Sequence, residues 1–150
     1  MKNVLTSKSF VVIVSHKGPD GDSIGSSVAL SRYLRKLKIK NKIVFPDSFP
    51  SYYDWLTDGE DFVIASNNFH ELSDLFAQSD LICCLDFNHL NRCGDELANC
   101  IRNCNAEQFV IDHHTYPEHF SIYEIIDSNF INIVSKNTGI KIPAFTSKPV

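Results

Sequence analysis

Apolar residues fall into two arrangements along this chain: short unbroken runs, and longer stretches where they return every three or four positions. The runs are "FVVIVS" (Phe10 to Ser15), "NKIVF" (Asn41 to Phe45), "DFVIA" (61–65), "DLICCLDF" (80–87), "QFVIDHH" (108–114) and "SIYEIID" (121–127). Runs of this length, rich in β-branched residues and without a polar face, predict strands covered on both sides. Between them, "SIGSSVALSRYLRKL" carries Ile24, Val28, Leu34 and Leu37 near helical spacing, with Asp22 or Ser23 as N-cap. "NNFHELSDLFAQ" puts Phe69, Leu72, Leu75 and Phe76 on one helical face, "GDELANCIRNC" predicts a further helix, and "YYDWL" a short helical turn after a loop with Pro46 and Pro50. Strands alternating with helices predict an α/β fold, a mainly parallel sheet with helices on both faces. Past Asp127 the periodicity is lost, and "SNFINIVSKNTGIKIPAFTSKPV" reads as a strand or an irregular tail ending near Pro143 and Pro149.

The polar residues sit at the ends of the runs. "FVVIVS" is followed by His16, "LICCL" by Asp86, "QFVI" by Asp112, His113 and His114, and "YEII" by Asp127. In an open α/β sheet the carboxyl ends of the strands converge on one crevice, so residues distant in sequence meet there. With Asp20 and Asp22 from "SHKGPDGDSIGSS", the crevice receives five carboxylates and three imidazoles. Burying that many acids without a partner is very costly, and a pair of divalent cations resolves the conflict. An oxygen-rich donor set with a few imidazoles suits Mn²⁺, Mg²⁺ or Fe²⁺, and two ions ~3.5–4 Å apart can clamp a phosphoryl oxygen and activate a water.

Simpler readings account for these residues less well. The glycine loop is not a phosphate-binding Walker sequence, since Ile24 and Gly25 precede Ser26 where Lys and Ser or Thr are required. An EF-hand starting at Asp20 fails because Ile24 and Ser31 occupy its fifth and twelfth positions. The glycines can serve as turn residues and the aspartates as caps, and Asp86 alone reads as a turn residue as readily as a ligand; "IDHH" is harder to explain as surface filler. His70 and His119 are assigned no role and His89 is left open, while Cys83 and Cys84, inside an apolar run, read as core.

At 150 residues the chain fits one domain able to bury ~70% of its unfolded surface. A formal net charge of −4 weighs against binding long nucleic acid, which needs many Lys and Arg contacts to phosphates, but leaves a short phosphate ligand open. No segment approaches the ~20 apolar residues of a membrane span, and a cytoplasmic location without membrane association is expected. The five cysteines form no C-x-x-C pair and their odd number leaves one unpaired, so they read as reduced thiols.

"HKGPDGDSIGS", "LDFNHLNR" and "DHH", in this order, resemble the first three motifs of the DHH phosphoesterases, the first fitting His-x-x-Pro-Asp-Gly-Asp-x-x-Gly-Ser. The resemblance covers residues 8–127 and is greatest to the N-terminal domain of bacterial nanoRNase/pAp-phosphatases, which degrade very short RNA and dephosphorylate 3'-phosphoadenosine 5'-phosphate (pAp). It implies a catalytic domain over residues 1–127 that hydrolyses short oligoribonucleotides or a small nucleotide with two divalent ions; a homodimer is allowed for. It further implies that His16 and Asp20 hold one ion and Asp22, His113 and Asp127 the other, with Asp86 bridging both. Asp112 would orient the neighbouring histidine, His114 would face the substrate phosphate and act in catalysis with Asp86, and Arg92 would steady an anionic substrate. Two features depart from the pattern: "SNFINIVSKNTG" stands where the family has Ser-Ser-Thr and a helix, and the glycine-rich histidine motif of the C-terminal substrate-binding domain does not follow. The isolated chain is therefore expected to be much less active than two-domain relatives. The alternatives are a catalytically idle metal- or nucleotide-binding remnant, or a pyrophosphatase or cyclic-dinucleotide phosphodiesterase of the same superfamily.

Overall fold

The computed structural model describes residues 1–67 and 69–127. Six strands, β1 (Phe10–Val14), β2 (Lys40–Phe45), β3 (Phe62–Ile64), β4 (Leu81–Leu85), β5 (Glu107–Asp112) and β6 (Tyr123–Ile126), form one sheet in the order β3-β2-β1-β4-β5-β6, and every pairing is parallel. The chain starts in the middle, builds outward to one edge, then returns across β1 to build the other half. The reversal lies between β1 and β4, where the connections on either side leave toward opposite faces and a crevice opens.

Among the described residues α1 (Lys2–Thr6) precedes β1, and four helices connect strands: α2 (Gly21–Lys36), α3 (Asp54–Thr57), α4 (Phe69–Ala77) and α5 (Asp95–Asn103). The unbroken apolar runs are explained by the two-layer cover. Val11 and Ile13 of β1 pack with Ile24, Val28 and Leu34 of α2, whereas Phe10, Val12 and Val14 pack with Leu72 and Phe76 of α4 and Leu97 and Ile101 of α5. Each fully buried Val or Ile contributes about 1.5–3 kcal/mol, so a polar residue anywhere in β1 would be strongly destabilising. In β1 and β4 the first imidazole or carboxylate therefore falls past the strand's carboxyl end, at His16 and Asp86.

The expected strands and helices are all present, with differences at their edges. α2 is capped by Asp20 instead of Asp22 or Ser23: Asp20 Oδ1 accepts the N–H groups of Asp22 at 3.1 Å and Ser23 at 3.0 Å, the second and third helical residues. α1 carries no apolar period, since only Leu5 of its five residues is buried, and the sequence offers no signal for it. The expectations for residues 128–150 and for the side chains of Phe69 and His70 lie outside the described residues.

"YYDWL" folds as a 3-10 turn (Ser51–Tyr53) running into α3, and this segment is clamped onto α2. The side chain of Glu60, 0% exposed, accepts Arg32 Nε at 2.9 Å, Arg35 Nη2 at 2.6 Å and Ser31 Oγ at 2.6 Å. The same arginines donate to the carbonyls of Leu56 at 3.0 Å and Gly59 at 2.8 Å. All five cysteines are free thiols, and burial pushes the Cys83 and Cys84 thiols well up, as inert core residues require. Among the described residues no helix is long and apolar enough to cross a membrane.

Candidate metal centre

The register of the sheet builds the site. Val14 pairs with Cys84, Leu85 with Ile111, and Asp112 with Ile126, so the residues just past these positions form a row across β1, β4, β5 and β6. The backbone continues the ladder into that row: Asp86 N–H donates to Ile111 O at 3.0 Å and Asp127 N–H to Asp112 O at 3.1 Å. His16, Asp86, Asp112 and Asp127 thus stand side by side at the carboxyl edge, with Asp20 and Asp22 facing them from the start of α2.

Asp86 is the hinge of the arrangement. It has φ +64°, a left-handed conformation that costs an L residue about 1–2 kcal/mol and persists only where surroundings enforce it. In that conformation its two oxygens serve different neighbours: Oδ2 lies 3.6 Å from His16 Nε2, and Oδ1 lies 3.1 Å from His113 Nε2. His16 Nε2 is also 3.8 Å from Asp20 Oδ1. Two sets of metal-ligating side chains result, His16, Asp20 and Asp86 in one and Asp86, Asp112, His113 and His114 in the other, with the donor atoms of each set within 4.8 Å of one another. Asp86 belongs to both.

Asp112 is buried, and its carboxylate holds His114 instead of the immediately adjacent His113. Oδ1 meets His114 Nδ1 at 2.7 Å and Oδ2 accepts the His114 N–H at 3.2 Å. A bond to both ring and backbone sets the tautomer and direction of that imidazole. Asp22 is half-buried in the first turn of α2, outside both compact sets but within the field of Asp86, Asp20, His113 and His114. Asp127 is half-buried beside Asp112 and likewise outside the two sets.

Arg92, in a 3-10 turn (Leu90–Cys93), is exposed; its carbonyl accepts the Lys17 N–H at 2.7 Å, which pins the turn beside His16. Asp47 and Glu118 were not singled out in the sequence. Asp47 accepts the N–H of Gly18, whose φ of +62° suits glycine, at 3.0 Å, and Glu118 accepts the Leu90 N–H at 2.8 Å. Isolated loop acids that brace backbone carry no periodic or motif signal. His89 faces Glu118 at 3.9 Å on the surface, and the exposed His119 pairs with Glu124 at 2.7 Å.

The electrostatics bear on what the donor set can hold. Burial opposes a charged His16 ring, but Asp20 and Asp86 outweigh it, bringing its pKa up to about 10. His16 in turn brings Asp20 down to about 2. Burial and then the charge of Asp86 push the Asp22 carboxyl up. Without a metal the proton on His16 is the local countercharge for these acids. His16 Nδ1 lies 2.8 Å from Lys17 O, so a cation that displaces the Nε2 proton finds the other nitrogen already satisfied as a donor. The donor set fits a divalent cation of oxygen and imidazole preference.

This has a consequence in pH. The His16 pKa is raised on folding, so in chelator its contribution to stability is complete below pH 6.5 and is lost as pH rises to about 10. The melting temperature of the metal-free chain should fall across that window by more than that of His16→Asn. Mn²⁺ affinity should rise across the same window, because the ion must displace the proton. A Mn²⁺ affinity independent of pH there would remove His16 from the ligand set.

Residues 10–139 match the DHH family, N-terminal domain. Among solved structures, an exopolyphosphatase-related protein from Bacteroides fragilis superposes with a TM-score of 0.84 at 30% identity, covering 92% of this chain and 42% of that one. An α-glucosyltransferase in complex with UDP and a 13-mer DNA shares the fold alone, with a TM-score of 0.59 at 11% identity over 81% of this chain and 38% of that one. Comparison with curated protein sequences finds no match. The chain thus spans less than half the length of the Bacteroides fragilis protein, and the motif residues fall on the strand ends that form the centre described above. On the family match and that structural likeness together, the chain belongs to the DHH family and carries its N-terminal domain.

Proposed function

We propose that the chain is the metal-holding part of a phosphoesterase that hydrolyses short oligoribonucleotides or pAp with two divalent ions, Mn²⁺ being the best fit. The observation that carries this reading is the division of the Asp86 carboxylate between His16 on one side and His113 on the other. His16 and Asp20 would hold one ion, Asp22, His113 and Asp127 the other, and Asp86 both. Bound divalent ions supply Lewis-acid stabilisation of phosphoryl oxygens and lower the pKa of a water.

The chain's own contribution to the chemical step centres on His114. Its ring is partly open to the crevice, and the fully buried Asp112 side chain receives its Nδ1. With Nδ1 committed to Asp112, Nε2 is the ring nitrogen left to donate to the oxygen that leaves phosphorus. The Arg92 guanidinium, exposed and without an ion-pair partner among the described residues, adds positive charge beside the His16 loop.

The test is incubation with Mn²⁺ and, separately, a diribonucleotide, pAp or pyrophosphate. Release of mononucleotide from the first or phosphate from the second, abolished by chelator, is the expected result. Turnover of pyrophosphate alone would replace this reading by a pyrophosphatase. Mn²⁺ binding without turnover of any of the three would favour a binding module.

A further inference from the structure

Among the described residues four other than glycine hold left-handed backbone: Lys38, Asp86, Tyr116 and His119. Three have a local reason. Lys38 follows Leu37, the C-cap of α2, and its N–H donates to Arg35 O at 2.9 Å; Asp86 divides its oxygens at the metal centre; His119 pairs with Glu124 at 2.7 Å. Tyr116, at φ +58°, is 87% exposed, and its side chain has no partner among the described residues. It also precedes Pro117, and both a bulky side chain and a following proline disfavour that conformation. The strain gains nothing in packing.

The conformation is enforced from both sides. Asn88 Nδ2 donates to Thr115 O at 2.7 Å and Asn88 O accepts the Glu118 N–H at 2.8 Å, so one residue clasps the chain before and after Tyr116 and Pro117. Glu118 in turn accepts the Leu90 N–H at 2.8 Å, and the Phe87 ring stacks with that of Phe120, centroids 6.3 Å apart and planes at 11°. The loops that leave Asp86 and His114 are thereby laced together. Tyr116 stands two residues after His114, so chain connectivity alone keeps its Cα within about 7.6 Å of the His114 Cα. Strained residues persist where their surroundings enforce them, and they gather at ligand clamps.

We propose that Tyr116 is a substrate contact on the His114 side of the metal centre, its ring stacking on the base of a nucleotide whose phosphate lies at the ions, and that Asn88 positions it. The proposal rests on the phosphoesterase reading and names the part of the substrate that is selected. An uncharged ring with open faces offers every nucleobase a matching surface, and offers polyphosphate or a sugar phosphate none.

With Mn²⁺ present, calorimetry should show adenosine monophosphate binding more tightly than ribose 5-phosphate. Tyr116→Asn, which suits left-handed backbone, should weaken adenosine monophosphate by about 5- to 100-fold, the worth of one stacked ring, and leave Mn²⁺ and ribose 5-phosphate affinities unchanged. Its melting temperature should not fall. Tyr116→Phe should match the native chain, and Asn88→Ala should weaken adenosine monophosphate yet add no further loss to Tyr116→Asn, because it acts through that ring. Equal binding of the two phosphates by the native chain, an unchanged adenosine monophosphate affinity in Tyr116→Asn, a loss shared by ribose 5-phosphate, or the same loss in Tyr116→Phe would overturn the stacking contact while leaving the metal centre intact. A lower melting temperature in Tyr116→Asn would overturn it too, by giving the ring a packing role. If the native chain binds neither phosphate with Mn²⁺ present, the phosphoesterase reading falls and the contact with it.

Discussion

Asp86→Asn should lose Mn²⁺ at both positions together, each by more than the ~10- to 100-fold that losing an outer partner of a ligand costs. The expectation follows from one carboxylate facing His16 with one oxygen and His113 with the other. An amide keeps the shape but removes the charge and one acceptor, so neither set retains its shared ligand. The fold should survive, because asparagine tolerates the left-handed conformation that Asp86 adopts at φ +64°. Titration calorimetry with Mn²⁺, alongside a circular dichroism spectrum to establish the fold, makes the measurement. Two undiminished binding events in the variant would mean that the two sets do not share Asp86, and the proposed centre would have to be redrawn.

The adjacent histidines should separate in a second experiment. His113→Ala should reduce Mn²⁺ affinity, whereas His114→Ala should keep it and slow turnover ~10²–10³-fold, the usual cost of losing a donor that acts on developing charge. The structure adds a third variant: because Asp112 grips the ring of His114 at 2.7 Å, Asp112→Asn should slow turnover in the same direction without removing the ring. His114 stands in the same compact set of donors as His113, which gives the comparison its force. If His114→Ala releases metal and His113→Ala does not, the two roles are exchanged.

Much of this architecture is written locally. A run such as Phe10–Val14 tolerates no polar residue because alternate side chains enter opposite layers, and that constraint is visible in five consecutive letters. The same constraint makes the first ionisable residue after each run conspicuous, which is why His16, Asp86, Asp112 and Asp127 could be named as strand-end residues before their neighbours were known. The glycines and aspartates of the first loop were legible as a ligand loop, but its helix cap was misplaced. Three of four successive residues, Asp20, Asp22 and Ser23, are good caps, and only the backbone geometry decides which one accepts the N–H groups.

By itself, then, the sequence determined the α/β order, the two-sided cover of the strands and the row of acids and imidazoles at their carboxyl ends, because each depends on neighbours within a few residues. The tertiary structure alone decided how that row is connected. That Asp86 turns left-handed and divides its oxygens, that Asp112 holds His114 instead of His113, and that Glu60 binds Arg32 and Arg35 to steady the aromatic turn are relations set by strand register and helix packing. They join residues through space at distances of a few ångströms, and an isolated acid or arginine in a loop has no period or spacing from which such a partner can be read.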